Sequence, residues 1–109
     1  MLYELRIYHM NPGRLPAIHK RFSEVTLALF RRHGIHVTDF WTDADGGERI
    51  YYVCAFEDRA ARDKAFDTFG ADPDWQSAFA ASHADGGPIV ERVENYFMTR
   101  VDYVTPSWK

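Results

Sequence analysis

Glu4, Arg6 and Tyr8 fall at every second position of Leu2-Tyr3-Glu4-Leu5-Arg6-Ile7-Tyr8-His9, a run that alternates at the strand period. On a strand these three side chains share a face. Arg6 there can bind a carboxylate or an enolate, while Glu4 orients the ligand or moves a proton. The same residues can instead form a cross-strand or intersubunit ion pair, with Glu94 or Arg100, that sets a register. Tyr3, Leu5, Ile7 and His9 make up the other face, which is mostly apolar and is expected to lie against helices. The face with Leu2, Glu4, Arg6 and Tyr8 is expected to meet water or hydrogen-bonding groups.

Other residues could join this chemistry. Trp41, Tyr51 and Tyr96 can stack on a flat aromatic ligand, or can simply fill an interface. Five histidines raise the question of a metal. Their spacing contains no His-x-x-x-His or His-Glu-x-x-His pair, so no metal and no cofactor is expected. His33 suits a helix terminus. If a histidine takes part in chemistry, His33 or His36 is favoured, because a helix end and a strand start lie near a barrel mouth. Cys54 shares a strand face with Ile50 and Phe56 and reads as an inert buried thiol. Gly46-Gly47 and Gly86-Gly87 are loop residues, not a phosphate cradle.

The elements that must position these residues follow from periodicity. Asn11-Pro12-Gly13 marks a turn after the first strand. Leu15, Ile18, Phe22, Val25 and Leu29 then trace one helical stripe, predicting a helix from about Arg14 to His33, with Gly34 just past its end. Ile35 to Thr42 and Arg49 to Phe56 read as strands joined by the Asp43–Glu48 loop. In the first of these, Ile35, Val37, Asp39 and Trp41 take one side and His36, Thr38 and Phe40 the other. Asp58 caps a second helix, which Gly70 ends, with Ala61, Ala65, Phe66 and Phe69 facing inward. Asp72-Pro73 starts a third helix anchored by Trp75 and Phe79. The last strand is expected from Ile89 to Tyr103, with Glu94, Tyr96, Met98, Arg100 and Asp102 on one face, and a short tail follows.

The order β-α-β-β-α-(α)-β predicts an α+β, ferredoxin-like fold over residues 1–109 as a single domain: a four-stranded antiparallel sheet with helices on one face. The uncovered face is expected to carry Tyr8, Trp41, Tyr51, Val53, Tyr96 and Met98 among Glu4, Arg6, Asp39, Glu94 and Arg100. An aromatic patch of this kind marks an interaction surface, and a two-fold homodimer with facing sheets would cover it. The ligand-binding candidates are therefore Arg6, Tyr8, Trp41, Tyr51, Tyr96, Met98 and Arg100, and the catalytic candidates are Glu4, Arg6 and His36.

Several short motifs, in order, resemble the NIPSNAP domain. These are Tyr3-Glu4-Leu5-Arg6-x-Tyr8 before Pro12-Gly13, then Phe30-x-x-His33-Gly34, Phe40-Trp41 and Asp72-Pro73-x-Trp75. The resemblance implies membership of the dimeric α+β barrel superfamily, which also contains cofactor-free antibiotic-biosynthesis monooxygenases. It implies a small dimeric barrel without implying a reaction.

Composition narrows the partners. The 109 residues carry a net charge of −3 with the signs interspersed, so no nucleic-acid partner is expected. No apolar run is long enough for a membrane span, and Met1 leads directly into the first strand without a signal pattern. With one cysteine, a reducing, cytoplasmic setting is expected. Three functions compete. The first is binding of a small apolar or aromatic ligand in the barrel. The second is a cofactor-independent monooxygenase- or isomerase-like enzyme acting on an aromatic or polyketide-like substrate. The third is a homodimeric protein-interaction module with a filled interior.

Overall fold

A computed structural model describes residues 1–105; the tail expected at the C-terminus lies outside them from Pro106 on. Strand β1 (Leu2–Met10) leads into a helical arm built from α1 (Leu15–Arg21), a π-helical turn (Phe22–Thr26) and α2 (Leu27–Arg32). β2 (His36–Thr42) and β3 (Arg49–Phe56) form a hairpin. Two helices, α3 (Arg59–Ala71) and α4 (Pro73–Ala84), precede β4 (Val90–Met98). The sheet order is β2-β3-β1-β4 and every pairing is antiparallel. This is the expected ferredoxin-like α+β fold, with β1 central between β3 and β4.

Local chemistry accounts for the element ends. Gly34, at φ +73°, supplies the left-handed residue after α2. Gly70 does not stop α3. The helix continues to Ala71 and ends at Asp72, whose extended backbone (ψ 121°) suits a residue that precedes proline. The Asp72 carboxylate then caps α4 by accepting from the Asp74 amide at 2.9 Å. The last strand stops at Met98, five residues before the expected end at Tyr103.

The π turn changes which residues the arm buries. It inserts one extra residue, so Thr26 and Phe30 are buried together with the expected Ile18, Phe22 and Leu29, while Val25 is only partly buried. Thr26 Oγ1 donates to the Arg21 carbonyl at 3.2 Å. Arg21 is also turned inward and is 7% exposed.

Strand β1 faces the opposite way from the expectation. Glu4 pairs with Cys54, Arg6 with Tyr52 and Tyr8 with Ile50 across the β1–β3 ladder, and those three β3 residues are all completely buried beneath the helices. Glu4, Arg6 and Tyr8 therefore lie on the helix side. Tyr3, Leu5 and Ile7 lie on the uncovered side with Val53, Tyr51, Tyr96 and Met98. A strand offers only two orientations, and choosing the other moves every side chain to the opposite face. The polar set goes inside because its members bond one another there. In β2, a bulge between Val37 and Asp39 puts Val37 and Phe40 on the same, helix-covered side, whereas strict alternation separates them. Phe40 then stacks on Tyr52, with centroids 5.2 Å apart and planes 7° apart.

The core is aromatic. Phe30 meets Phe22, Tyr52, Phe66 and Phe69, with ring centroids between 4.9 and 6.1 Å. At the end of the arm, Asp72 accepts from Arg32 at 2.9 Å and meets His33 Nε2 at 2.7 Å, tying the arm to the α3–α4 junction. The hydrogen bonds from His33 and from the Asp74 amide hold the Asp72 carboxyl at about 2, below its ordinary 3.8. A lowered carboxyl stabilises the fold above its unfolded value and loses that contribution as pH falls through the folded one. Wild type is therefore expected to exceed Asp72→Asn in urea midpoint near neutral pH. The gap should shrink below about pH 4 and close near pH 2.

Candidate functional site

The centre of the site is a buried carboxylate. Glu4 is 0% exposed. Its Oε1 accepts from Arg62 Nε at 2.8 Å. Its Oε2 accepts from Arg62 Nη2 at 2.9 Å, Arg6 Nη1 at 2.9 Å and Asn95 Nδ2 at 2.6 Å. Burial acts to raise the Glu4 carboxyl, but the bonds from Arg62 and Asn95 and the two arginine charges outweigh it, so the carboxyl lies below its ordinary value. Arg62 also reaches Asp63 at 3.1 Å. The two guanidiniums are thus matched by two carboxylates.

Arg6 links this cluster to two phenols. Nε donates to Tyr52 Oη at 2.7 Å and Nη2 donates to Tyr8 Oη at 3.2 Å. The guanidinium carbon sits 4.6 Å from the Phe66 centroid. Burial opposes the Arg6 charge, whereas Tyr52, Tyr8 and Glu4 favour it, and the balance keeps Arg6 protonated. The phenol oxygens of Tyr8 and Tyr52 are 2.8 Å apart, so one donates to the other. Tyr52 is completely buried, and Tyr8 is the neighbour that can accept its proton. An unbonded O–H at a buried site costs about 1–3 kcal/mol. Tyr52 is therefore assigned as the donor to Tyr8, which leaves the Tyr8 O–H free to point elsewhere.

Tyr8 also lines a chamber of about 210 Å³ between the sheet and the helices. Arg6, Tyr8 and Val93 form its sheet side. Arg21, Phe22, Thr26 and Phe30 come from the helical arm, Phe66 and Phe69 from α3, and Trp75 and Phe79 from α4. The walls are largely aromatic and the polar groups converge from two sides, which is the usual make-up of a small-molecule site.

The expected site residues separate into two groups. Glu4, Arg6 and Tyr8 come together at the chamber. Trp41, Tyr51, Tyr96, Met98 and Arg100 lie on or beside the uncovered sheet face, where Arg100 reaches over the Tyr3 ring at 5.0 Å. There Tyr51 Oη donates to Asp43 and Tyr96 Oη donates to Glu94, at 2.5 and 2.7 Å. His36 is exposed on the edge strand, apart from the Glu4–Arg6 cluster. His33 is taken up by the Asp72 contact. Burial pushes the Cys54 thiol up to about 12, matching an inert thiol. Among the described residues, no cluster of His, Cys, Asp and Glu could hold a metal ion.

Sequence reasoning missed Arg21, Arg62 and Asn95. A signal existed for the arginines: Arg21 is three residues after Ile18, and Arg62 precedes Phe66 by four and Phe69 by seven, so both lie on helical stripes. An arginine on an apolar stripe can be a buried ion-pair partner or a ligand contact.

A NIPSNAP family model matches residues 3–104. The chain belongs to the NIPSNAP family. Solved structures share its fold. An uncharacterised NIPSNAP domain protein from Burkholderia xenovorans is 21% identical, with 97% of this chain and 100% of that one covered at a TM-score of 0.81. A NIPSNAP family protein of unknown function from Agrobacterium tumefaciens is 23% identical, with 95% and 91% covered and the same TM-score of 0.81. An antibiotic biosynthesis monooxygenase is more distant, at 16% identity and a TM-score of 0.63, with 93% and 99% covered. None of the curated proteins matches this chain.

In this NIPSNAP domain, Glu4→Leu leaves two inward guanidiniums without their shared acceptor. It is expected to lower unfolding free energy by about 3–5 kcal/mol, read from urea denaturation.

Proposed function

We propose that this NIPSNAP domain binds a small aromatic or apolar molecule in the chamber between β1 and the helices. The observation that carries this reading is the chamber itself, an aromatic-walled space of about 210 Å³ bordered by the polar groups of Arg6, Tyr8 and Arg21. For comparison, an apolar cavity of about 150 Å³ accommodates benzene. One aromatic ring with a short polar substituent therefore matches the space. This ligand site lies under the helices, away from the inter-sheet space where the sequence pattern suggested it.

The Tyr8 hydroxyl supports a second reading, an isomerase- or monooxygenase-like reaction in the same chamber. Its phenol receives a hydrogen bond from Tyr52, which is itself polarised by Arg6, so Tyr8 is a strengthened donor toward a bound oxygen. Binding comes first in either reading. Val93→Trp places an indole in the chamber from the sheet side. It is expected to remove small molecules that co-purify with wild type, as seen by mass spectrometry of the native protein, while circular dichroism stays unchanged. Retention of the same molecules by the variant counts against this location.

A second copy of the chain is the proposed partner of the uncovered sheet face. Trp41 and Tyr96 are each 51% exposed there, beside Tyr3, Leu5 and Val53. Self-pairing of two such faces removes a large apolar area from water. Tyr96→Asp places a charge in that area and is expected to convert a dimer to a monomer in sedimentation. An unchanged dimer means this face is not the contact. The lone cysteine, Cys54, is a buried free thiol, which suits the proposed cytoplasmic setting. Among the described residues no helix is long and apolar enough to cross a membrane.

A further inference from the structure

Arg21 is the one chamber cation whose charge the fold leaves unmatched among the described residues. Arg6 is matched by Glu4, and Arg62 by Glu4 and Asp63. Arg21 has no carboxylate within 4.0 Å among those residues, although it is only 7% exposed. Its guanidinium makes one hydrogen bond there, from Nη1 to Ser82 Oγ at 3.2 Å, and its buried Nε finds no acceptor. Two rings hold it in place, Trp75 at 5.0 Å and Phe79 at 5.4 Å. A buried, unpaired charge is costly and is seldom retained without a partner.

We propose that Arg21 is an anion subsite and that the chamber's ligand is a small aromatic carboxylate or enolate. This rests on reading the chamber as the ligand site. The anionic oxygen seats against the Arg21 guanidinium and accepts the free Tyr8 O–H, while the ring lies among Phe30, Phe66 and Phe69. Three features converge on this class of ligand. The chamber's walls suit a flat ring, its volume suits a single ring, and the hydrogen-bonding capacity left over on Arg21, Tyr8 and Arg6 is donor capacity. A neutral ligand would leave the guanidinium unpaired, and a cationic one would meet two arginines. Arg6 is the weaker anion contact, because its charge is already paired with Glu4 and three of its five N–H donors are bonded to Glu4, Tyr8 and Tyr52.

Arg21 also borders an outer groove between α1 and α4, beside Ala81 and Ser82. The test must therefore separate the groove from the chamber. Isothermal titration of the whole chain with trans-cinnamate and with its neutral amide provides the comparison. Cinnamate is expected to bind wild type about tenfold or more tightly than cinnamamide, the range of a hydrogen bond to a charged group. Arg21→Met is expected to abolish that preference by weakening cinnamate at least tenfold more than the amide, and Tyr8→Phe to weaken cinnamate severalfold. Ala81→Trp, which fills the groove, is expected to leave both affinities unchanged. If Arg21→Met does not fold by circular dichroism, Arg21→Gln takes its place.

Equal binding of acid and amide by wild type overturns the anion subsite and leaves the chamber reading standing. Loss of cinnamate binding in Ala81→Trp, with Val93→Trp unaffected, moves the anion to the groove and overturns the proposal. If neither probe binds wild type, the chamber reading fails and the subsite fails with it.

Discussion

A single carboxylate buried under the helices holds the central layer of this domain together. Glu4 accepts from two arginines and an asparagine that arrive from β1 itself, from α3 and from β4. Burying a charge is tolerable only when it is paired and its remaining lone pairs are bonded, and here both conditions hold. The consequence is geometric. Arg6 is anchored at one end, so its other donors are aimed at the phenols of Tyr52 and Tyr8. The orientation of Tyr8 at the chamber is thus traceable to Glu4.

The chamber exists because the elements above the sheet do not pack down onto β1 completely. The π turn shifts the arm by one residue, bringing Thr26 into the interior in place of Val25, next to Arg21, which α1 already turns inward. Such turns recur at functional sites because they re-aim side chains without ending the helix. Helix α4 supplies Trp75 and Phe79 as the far wall, yet none of its residues is fully buried. Its position is held largely by its ends: the Asp72 cap with Arg32 and His33, and Arg14 donating to the Ser82 and Gly87 carbonyls.

The two faces of the sheet carry different chemistry. The helix side holds a polar network and a chamber, whereas the other side holds aliphatic and aromatic residues with local Tyr–carboxylate bonds at Asp43 and Glu94. Membership of the NIPSNAP family and a fold shared with an antibiotic biosynthesis monooxygenase place the chain among small α+β domains. A shared scaffold of this kind does not by itself specify a reaction.

The element order and most boundaries were legible in the sequence, because apolar periodicity and the Asp-Pro and Gly signals are local. β3 matches the expected Arg49 to Phe56, and the long stripe after Gly13 became the helical arm. The alternation of β1 was also legible, but its direction was not. Hydrophobicity placed Tyr3, Leu5 and Ile7 under the helices, since no local rule shows that Glu4 will find Arg62 and Asn95, which lie 58 and 91 residues away in the chain. Those partners meet only when α3 and β4 are docked beside β1, so tertiary packing decided which face became the site. The π turn and the β2 bulge likewise each shift a register by one residue, a choice that is settled by neighbouring side chains and that periodicity along the chain does not encode.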